Sequence, residues 1–355
     1  MTIENSTSAT VATVTMEASP ADVIRVGVIG YGYWGPNIVR NLGSLENCEV
    51  AAICDKRPSA LTRAGRACPT AQLTSEFADI LRSPTIDAVA VITPVWTHYE
   101  LAHAALENGK HVFVEKPFVS ASWQAQELIE LAERKHLQIM VDHTFVFSGA
   151  VRKIRELVNN GTLGSLYYFD STRVNLGLFQ HDVSVVWDLA PHDLSIMDSL
   201  LCERPEAVVA TGSNHLNGLV DMAFITVYFP GNLIAHINVN WLSPVKVRTT
   251  LIGGKERMLV WNDLEPDEKI KVYDKGVEMG NPQGVYELLV SYRSGDVWSP
   301  KVDRTEALHL ELDQFLKCIR GDQAPPNDGA AGLRVVRLLE AAEQSLATRG
   351  ELVML

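Results

Sequence analysis

The chain has 355 residues, 46% of them hydrophobic and 21% charged, with a formal net charge of −12. That length exceeds what one ordinary core fills and suits two domains, and no apolar run reaches the roughly 18 residues a membrane-spanning helix needs. The acidic balance argues against a nucleic-acid partner, which requires clustered Lys and Arg to displace counterions, so an anionic ligand here has to meet helix N-termini or a few local cations.

Residues 1–21 are rich in Ser, Thr, Ala and Glu and lack both a basic n-region and a continuous apolar h-region, which predicts a disordered leader rather than a signal. From Ile24 onward, short β-branched runs at 24–29, 49–54, 88–92, 111–114 and 138–141 alternate with stretches of helical period at 37–45, 57–66, 98–108 and 122–136. That alternation is the signature of βαβ units and a parallel sheet, expected over residues 22–146. After about Ala150 the pattern changes. One helix is expected at 151–159, followed by the Asn160-Gly161 turn and then by longer runs of two-residue alternation, clearest in Ile237-Asn238-Val239-Asn240-Trp241. Runs at 207–210, 222–229, 245–252 and 257–260 extend that sheet, Pro230-Gly231 marks a turn, and helices at 307–320 and 332–348 close the chain. Residues 147–355 are therefore expected to form a second, α+β domain for substrate binding and assembly, whose last helices could pack back on the first. Cys48, Cys54, Cys68, Cys202 and Cys318 are odd in number, irregularly spaced and without a CxxC pair. They suggest neither a disulfide framework nor a zinc site and fit a reducing cytoplasm.

The first strand runs directly into Gly30-Tyr31-Gly32-Tyr33-Trp34-Gly35 and then a helix, the context in which GxGxxG binds a dinucleotide. Gly30 permits the tight turn, Gly32 lets the backbone approach the pyrophosphate, and Gly35 lets helix and strand pack closely; N–H groups at the helix start receive the phosphate charge. Asp55 closes the second strand about 20 residues on, where a carboxylate accepts hydrogen bonds from the adenosine ribose. This favours NAD, although Lys56 and Arg57 could accommodate the 2′-phosphate of NADP if Asp55 turned away.

At Glu115-Lys116-Pro117, after the fourth expected strand, the sequence resembles the Gfo/Idh/MocA family of oxidoreductases. Thr93-Pro94 with His98, Asp188 with His192 one helical turn on, and Asn327-Asp328-Gly329 match as well, so the resemblance covers nearly the whole chain from Ile24. It implies an N-terminal Rossmann domain with a doubly wound parallel sheet, then an α+β domain with a large open, mostly antiparallel sheet. Substrate would be held between that sheet and the nicotinamide. It also implies homodimers or homotetramers packed through the outer sheet face, and it adds Thr93, Pro94, His98, Glu115 and Lys116 to the cofactor contacts.

Oxidising a secondary alcohol needs a base for the hydroxyl proton as hydride departs, and positive charge to favour the alkoxide. Lys116, at the carboxyl edge of a sheet strand, and His192 can supply both, with Asp188 orienting the imidazole or pairing with the lysine; the sequence leaves open which of Lys116 and His192 takes the proton. The structural alternatives are a surface lysine, a helix-capping aspartate and a packed core histidine. Pro191 is favoured in the first turn of a helix, which predicts His192 near a helix N-terminus, where the dipole disfavours its protonated form. Where relatives carry Asn or Arg after the fifth strand this chain has Asp142-His143-Thr144, so His143 is a candidate substrate contact or a structural histidine. Arg173, Asn175 and His181 lie where the family places substrate contacts, and Arg173 could hold a carboxylate or phosphate.

The stretch from Trp187 to Met197 looks most like the branch of nucleotide-sugar 3-dehydrogenases acting on UDP-N-acetylglucosamine or its uronic acid. The expected function is hydride transfer between a sugar secondary hydroxyl and the nicotinamide. A free-sugar or inositol dehydrogenase, a glycosidase that recycles its NAD, and a non-catalytic NAD(H) sensor are the alternatives.

Overall fold

The computed structural model describes residues 23–177, 180, 182–216, 218–279, 290–321 and 325–355. The expected leader and His181 lie outside them.

The N-terminal part alternates strand and helix: β1 (Ile24–Ile29), α1 (Gly35–Leu42), β2 (Cys48–Cys54), α2 (Pro58–Ala67), β3 (Gln72–Thr74), α3 (Phe77–Arg82), β4 (Ala88–Val91), α4 (His98–Glu107), β5 (His111–Glu115), α5 (Ser122–Lys135) and β6 (Ile139–Asp142). The strands pair in parallel in the order β3-β2-β1-β4-β5-β6. The direction of winding reverses between β1 and β4, the place where open α/β sheets bind ligands at their carboxyl ends. Every residue of β4, Ala-Val-Ala-Val, is buried, because a parallel sheet is covered by helices on both faces. The unit β3–α3 has no counterpart in the sequence pattern. A three-residue strand is too short to show a period, and the Glu115-Lys116-Pro117 strand is consequently the fifth, not the fourth.

The chain continues with α6 (Gly149–Asn159), β7 (Leu166–Leu176), α7 (Val185–Leu200), β8 (Ala207–Ser213), β9 (Met222–Tyr228), β10 (Ile234–Asn240), β11 (Leu242–Gly254), β12 (Met258–Asn262), β13 (Ile270–Met279), β14 (Val290–Trp298), α8 (Ala307–Ile319), α9 (Gly329–Ala347) and β15 (Val353–Met354). Among the described residues nine strands form one open sheet in the order β14-β13-β12-β11-β7-β10-β9-β8-β15. β7 and β10 pair in parallel and the other neighbours antiparallel. The alternation in β10 buries Ile237 and Val239 and leaves Asn238 and Asn240 half-buried. Helices α7 and α9 cover the inner face: Leu194, Ile196, Val336 and Leu339 share a core with Val208, Ile225 and Val239. Tyr167, Phe224, Tyr228 and Ile234 are exposed.

Helix α8 leaves this sheet and packs Leu308, Leu312, Phe315 and Leu316 into the core formed by Val26, Val28 and Ile38. Phe315 meets Phe113 of β5 at 5.6 Å between ring centroids, and burying such side chains contributes roughly 1.5–3 kcal/mol each. Among the described residues no helix is long and apolar enough to cross a membrane.

Candidate active site

The glycine loop joins the carboxyl end of β1 to α1. Gly30 takes φ +102°, and a Cβ there would stand 2.2 Å from the Ile92 carbonyl oxygen, so only glycine fits. A Cβ on Gly35 would stand 2.7 Å from the Gly30 carbonyl oxygen, which is the close strand–helix contact. Gly32 is different: a Cβ would meet only Arg57 Nη2, at 3.7 Å, so the backbone there is open on its outer side, as a phosphate requires. The first backbone bonds of α1 run from Asn37 and Ile38 to the Trp34 oxygen, and the amides before them are the ones a helix N-terminus offers to an anion. Tyr31 buries its ring and Tyr33 lies exposed beside the cleft. Trp34 Nε1 donates to Asp142 Oδ2 at 2.8 Å, tying the loop to β6.

Asp55, just past β2, accepts from the Tyr31 amide at 2.9 Å and from Arg57 through its amide, Nε and Nη2 at 2.8, 3.0 and 2.9 Å. Burial pushes this carboxyl up, but those hydrogen bonds and the Arg57 charge outweigh it and hold Asp55 at about 2. It faces the ligand side as an anion, the state that suits ribose hydroxyls and repels a phosphate.

A cleft of ≈ 780 Å³ opens over the carboxyl ends of these strands, bordered by Gly32, Asp55 and Lys56 at one end and by Thr93, Glu115, Lys116 and Asp188 at the other. Pro94 and Arg57 also line it. The Lys116–Pro117 peptide is cis. Lys116 Nζ donates to the Asp188 main-chain oxygen at 2.7 Å and lies 3.4 Å from Asp188 Oδ1. Trp241, between β10 and β11, donates from Nε1 to Asp188 Oδ2 at 3.2 Å. Asp188 and His192 share one face of α7, a turn apart. Burial, followed by the charges of Lys116, Arg173 and Arg248, lowers His192 well below the usual histidine range, so its imidazole is neutral.

The cause of that neutrality corrects the sequence reading. Helix α7 begins at Val185, so Pro191 and His192 stand in its interior and not at its N-terminus. Proline there removes the bond its own N–H would have made to the preceding turn and crowds the carbonyl of Trp187, and the packed surroundings carry the helix through. The imidazole is neutral because it is desolvated among cations. His192 borders Phe145, ring centroids 5.0 Å apart, and it stands behind the cleft's lining residues rather than among them.

Three further candidates also stand behind the cleft. His98 is buried, with Nε2 2.7 Å from the Thr93 oxygen and Nδ1 2.9 Å from the Pro117 oxygen, so it braces the two loops that edge the cleft. His143 is 2% exposed and burial takes it down to about 4. Arg173 makes a two-pronged pair with Asp193, Nε to Oδ2 at 2.6 Å and Nη2 to Oδ1 at 3.1 Å, and its guanidinium lies 4.5 Å from the Phe145 ring centroid. Asn175 is half-buried near the end of β7. No sequence motif marks Trp241, Phe145 or Asp193 as a site residue. Each acts through a partner far away in the chain, and no local motif marks such a residue.

Residues 24–143 match the model of the oxidoreductase family with an NAD-binding Rossmann fold, Gfo/Idh/MocA, and residues 151–259 match that of the Gfo/Idh/MocA C-terminal domain. The chain belongs to the Gfo/Idh/MocA family of oxidoreductases. Its N-terminal sheet is therefore an NAD-binding Rossmann domain, as the glycine loop and Asp55 indicate. Within the family the chain is 25% identical to a UDP-N-acetylglucosamine 3-dehydrogenase of Acidithiobacillus ferrooxidans, over 88% of this chain and 94% of that one. It is 24% identical to a myo-inositol 2-dehydrogenase of Thermotoga maritima, over 91% and 96%. Among solved structures, GenD2 from gentamicin A biosynthesis, in complex with NAD, superposes with a TM-score of 0.80 at 19% identity over 97% of this chain and 99% of that one, a likeness of fold. The Asn327-Asp328-Gly329 match of the Gfo/Idh/MocA resemblance has a structural place as well. Asn327 bridges Glu311 and the Val141 oxygen, and Asp328 caps α9 through the Ala331 amide at 2.8 Å.

Proposed function

We propose that this oxidoreductase is an NAD-dependent dehydrogenase that oxidises C3 of a nucleotide-linked sugar such as UDP-N-acetylglucosamine or its uronic acid. The observation that carries the reading is the junction of Lys116 with Asp188 in the cleft, with the neutral His192 one turn further along the same helix. NAD supplies the hydride acceptor when bound. The Gly32 backbone and the start of α1 hold its phosphates, Asp55 its adenosine ribose, and Thr93, Pro94 and Glu115 edge its other half. Lys116, fixed by Asp188, stabilises the developing alkoxide, and the neutral imidazole of His192 accepts the hydroxyl proton. Arg173 positions His192 through Phe145, the ring both side chains touch. The likeness to the UDP-N-acetylglucosamine 3-dehydrogenase along most of the chain supports the choice of sugar.

A free polyol is the second reading. The Arg173 charge, which the sequence offers to a phosphate, is committed to Asp193, and this favours an uncharged substrate of the inositol type. For assembly, the exposed Tyr167, Phe224, Tyr228 and Ile234 support a homodimer or homotetramer formed through the outer sheet face, and the cysteine spacing supports a cytoplasmic location.

NADH formation, followed by absorbance against UDP- and dTDP-sugars, free sugars and inositols, tests the reading. Rapid reduction with one UDP-sugar is the expected result. Reduction by an inositol alone selects the second reading, and silence across the panel with NAD released on denaturation points to a recycled cofactor.

A further inference from the structure

Beneath the cleft, on the side away from Asp55, three carboxyl groups from three elements meet. Glu115 ends β5 and borders the cleft. Asp142 ends β6 directly beside it in the parallel ladder and is 2% exposed. Glu311 comes from α8, far along the chain, and is fully buried. Asp142 receives hydrogen bonds from Trp34 Nε1 and Thr144 Oγ1, and Glu311 Oε1 receives one from Asn327 Nδ2 at 2.7 Å. Glu115 Oε2 and Glu311 Oε2 are buried and receive none from any donor among the described residues. Asp142 stands directly across the ladder from Glu115, and Asn327, which donates to Glu311, also donates to the oxygen of Val141 next to Asp142. An ionised carboxyl is acceptor-only, so a buried carboxyl oxygen that lacks a donor beside a second carboxyl is satisfied by taking up a proton. Asp142 accepts from Trp34 and Thr144 on both oxygens, whereas Glu115 and Glu311 each bury an oxygen with no donor, so the protons sit on Glu115 and Glu311.

The other groups that face the cluster do little to balance it. Lys116 draws Glu115 down but is paired with Asp188, whose carboxylate pushes Glu115 the other way, and burial keeps His143 neutral. Burial first, and Asp142 second, push both glutamates well above the usual carboxylate range.

The cluster's position gives it a use. Asp55 marks the adenosine side at β2 and the glycine loop marks the pyrophosphate at β1. The sheet order then leads the nicotinamide half across β4 and β5, over the strand end where Glu115 meets the cleft. An oxidised nicotinamide ring is a fixed cation, whereas the reduced ring is neutral. We propose that Glu115, Asp142 and Glu311 form a proton-holding cluster coupled to the charge of the cofactor, losing a proton when the oxidised dinucleotide binds and keeping it when the reduced one binds. The O–H bond that breaks is on Glu115, the proton goes to water in the cleft, and no electron moves. The cluster gains one negative charge as the cation arrives. By linkage, affinity for NAD⁺ rises with pH, up to about tenfold per pH unit for one released proton, while affinity for NADH stays level.

The inference rests on NAD occupying the cleft, and its test reads protons rather than turnover. NAD⁺ and NADH are titrated calorimetrically into the full chain at one pH in two buffers of different ionisation enthalpy. Release approaching one proton with NAD⁺, and none with NADH, is expected. Glu115→Gln abolishes the release. So does Asp142→Asn, whose amide can donate to an already ionised Glu115. Glu311→Gln, which mimics a protonated carboxyl, preserves it. Equal proton counts for the two nucleotides in the wild type overturn the proposal and leave the cofactor reading intact, and that comparison needs no variant to fold. Release that survives Glu115→Gln also overturns it, and binding of neither nucleotide overturns both readings.

Discussion

Asp188 holds Lys116 twice, accepting from its Nζ through the main-chain oxygen at 2.7 Å and standing off it by 3.4 Å through the carboxylate. The shorter contact belongs to the backbone of α7, so the lysine is aimed by the helix as much as by the aspartate side chain. A graded response to mutation follows.

Lys116→Ala removes the charge that stabilises an alkoxide and lowers kcat/KM by about 10²–10⁴-fold, while NAD still binds. Asp188→Asn keeps the main-chain acceptor, so its loss is smaller, on the order of tenfold. Steady-state rates on the true substrate, alongside NAD titrations, check both. A Lys116→Ala enzyme as fast as wild type would remove Lys116 from the chemistry.

Gly30 and Gly32 separate folding from binding. A methyl on Gly30 collides with the Ile92 carbonyl at a φ of +102°. Gly30→Ala therefore lowers the Tm, with the left-handed backbone alone costing about 1–3 kcal/mol. A methyl on Gly32 meets nothing closer than Arg57 Nη2 at 3.7 Å, so Gly32→Ala melts like the wild type but raises the Kd for NAD roughly tenfold or more by obstructing the pyrophosphate approach. Normal NAD affinity in Gly32→Ala would move the phosphate site elsewhere.

Asp55 is the proposed ribose acceptor, and its replacement tests the choice between NAD and NADP. Asp55→Ala removes the ribose acceptor and frees Arg57, beside Lys56, for a 2′-phosphate, so the ratio of Kd for NADP to Kd for NAD falls by about tenfold or more. Paired binding titrations with the two nucleotides decide it, and an unchanged ratio would refute the assignment.

Stability responds to pH through two sets of buried groups with opposite signs. His143 is lowered from 6.5 to about 4 and His192 well below 6.5. Below 6.5 the unfolded chain therefore binds protons that the folded chain refuses, and this stabilisation, whole above 6.5, is lost as pH falls through about 4. Glu115 and Glu311 are raised, so the folded chain keeps protons that the unfolded chain releases above 4.5, and their contribution is lost as pH rises. The two ranges overlap, so each is read from thermal melts as a difference from the wild type. His143→Phe flattens the acid limb and Glu311→Gln the alkaline one, and parallel melting curves across pH for wild type and variants would contradict both assignments.

By itself the sequence determined the parallel sheet, the dinucleotide loop and the lysine at a strand end. Each of these depends on neighbours in the chain: the alternation of β-branched and helical runs, three glycines at fixed spacing after a strand, and Glu115-Lys116-Pro117 where β5 stops. The two-residue period likewise marked β10 as a half-buried strand, whereas in β13 Asp274 falls where the apolar residue of the alternation is due, and the strand carried no such mark. Only the tertiary structure decided how the charged groups are used. Arg173 is neutralised by Asp193 from a helix, His192 is desolvated by burial within α7 and repelled as a cation by charges from other elements, and Glu115, Asp142 and Glu311 converge from two strands and a C-terminal helix. Electrostatic free energy depends on distance and burial in space, and chain spacing records neither for groups on separate elements.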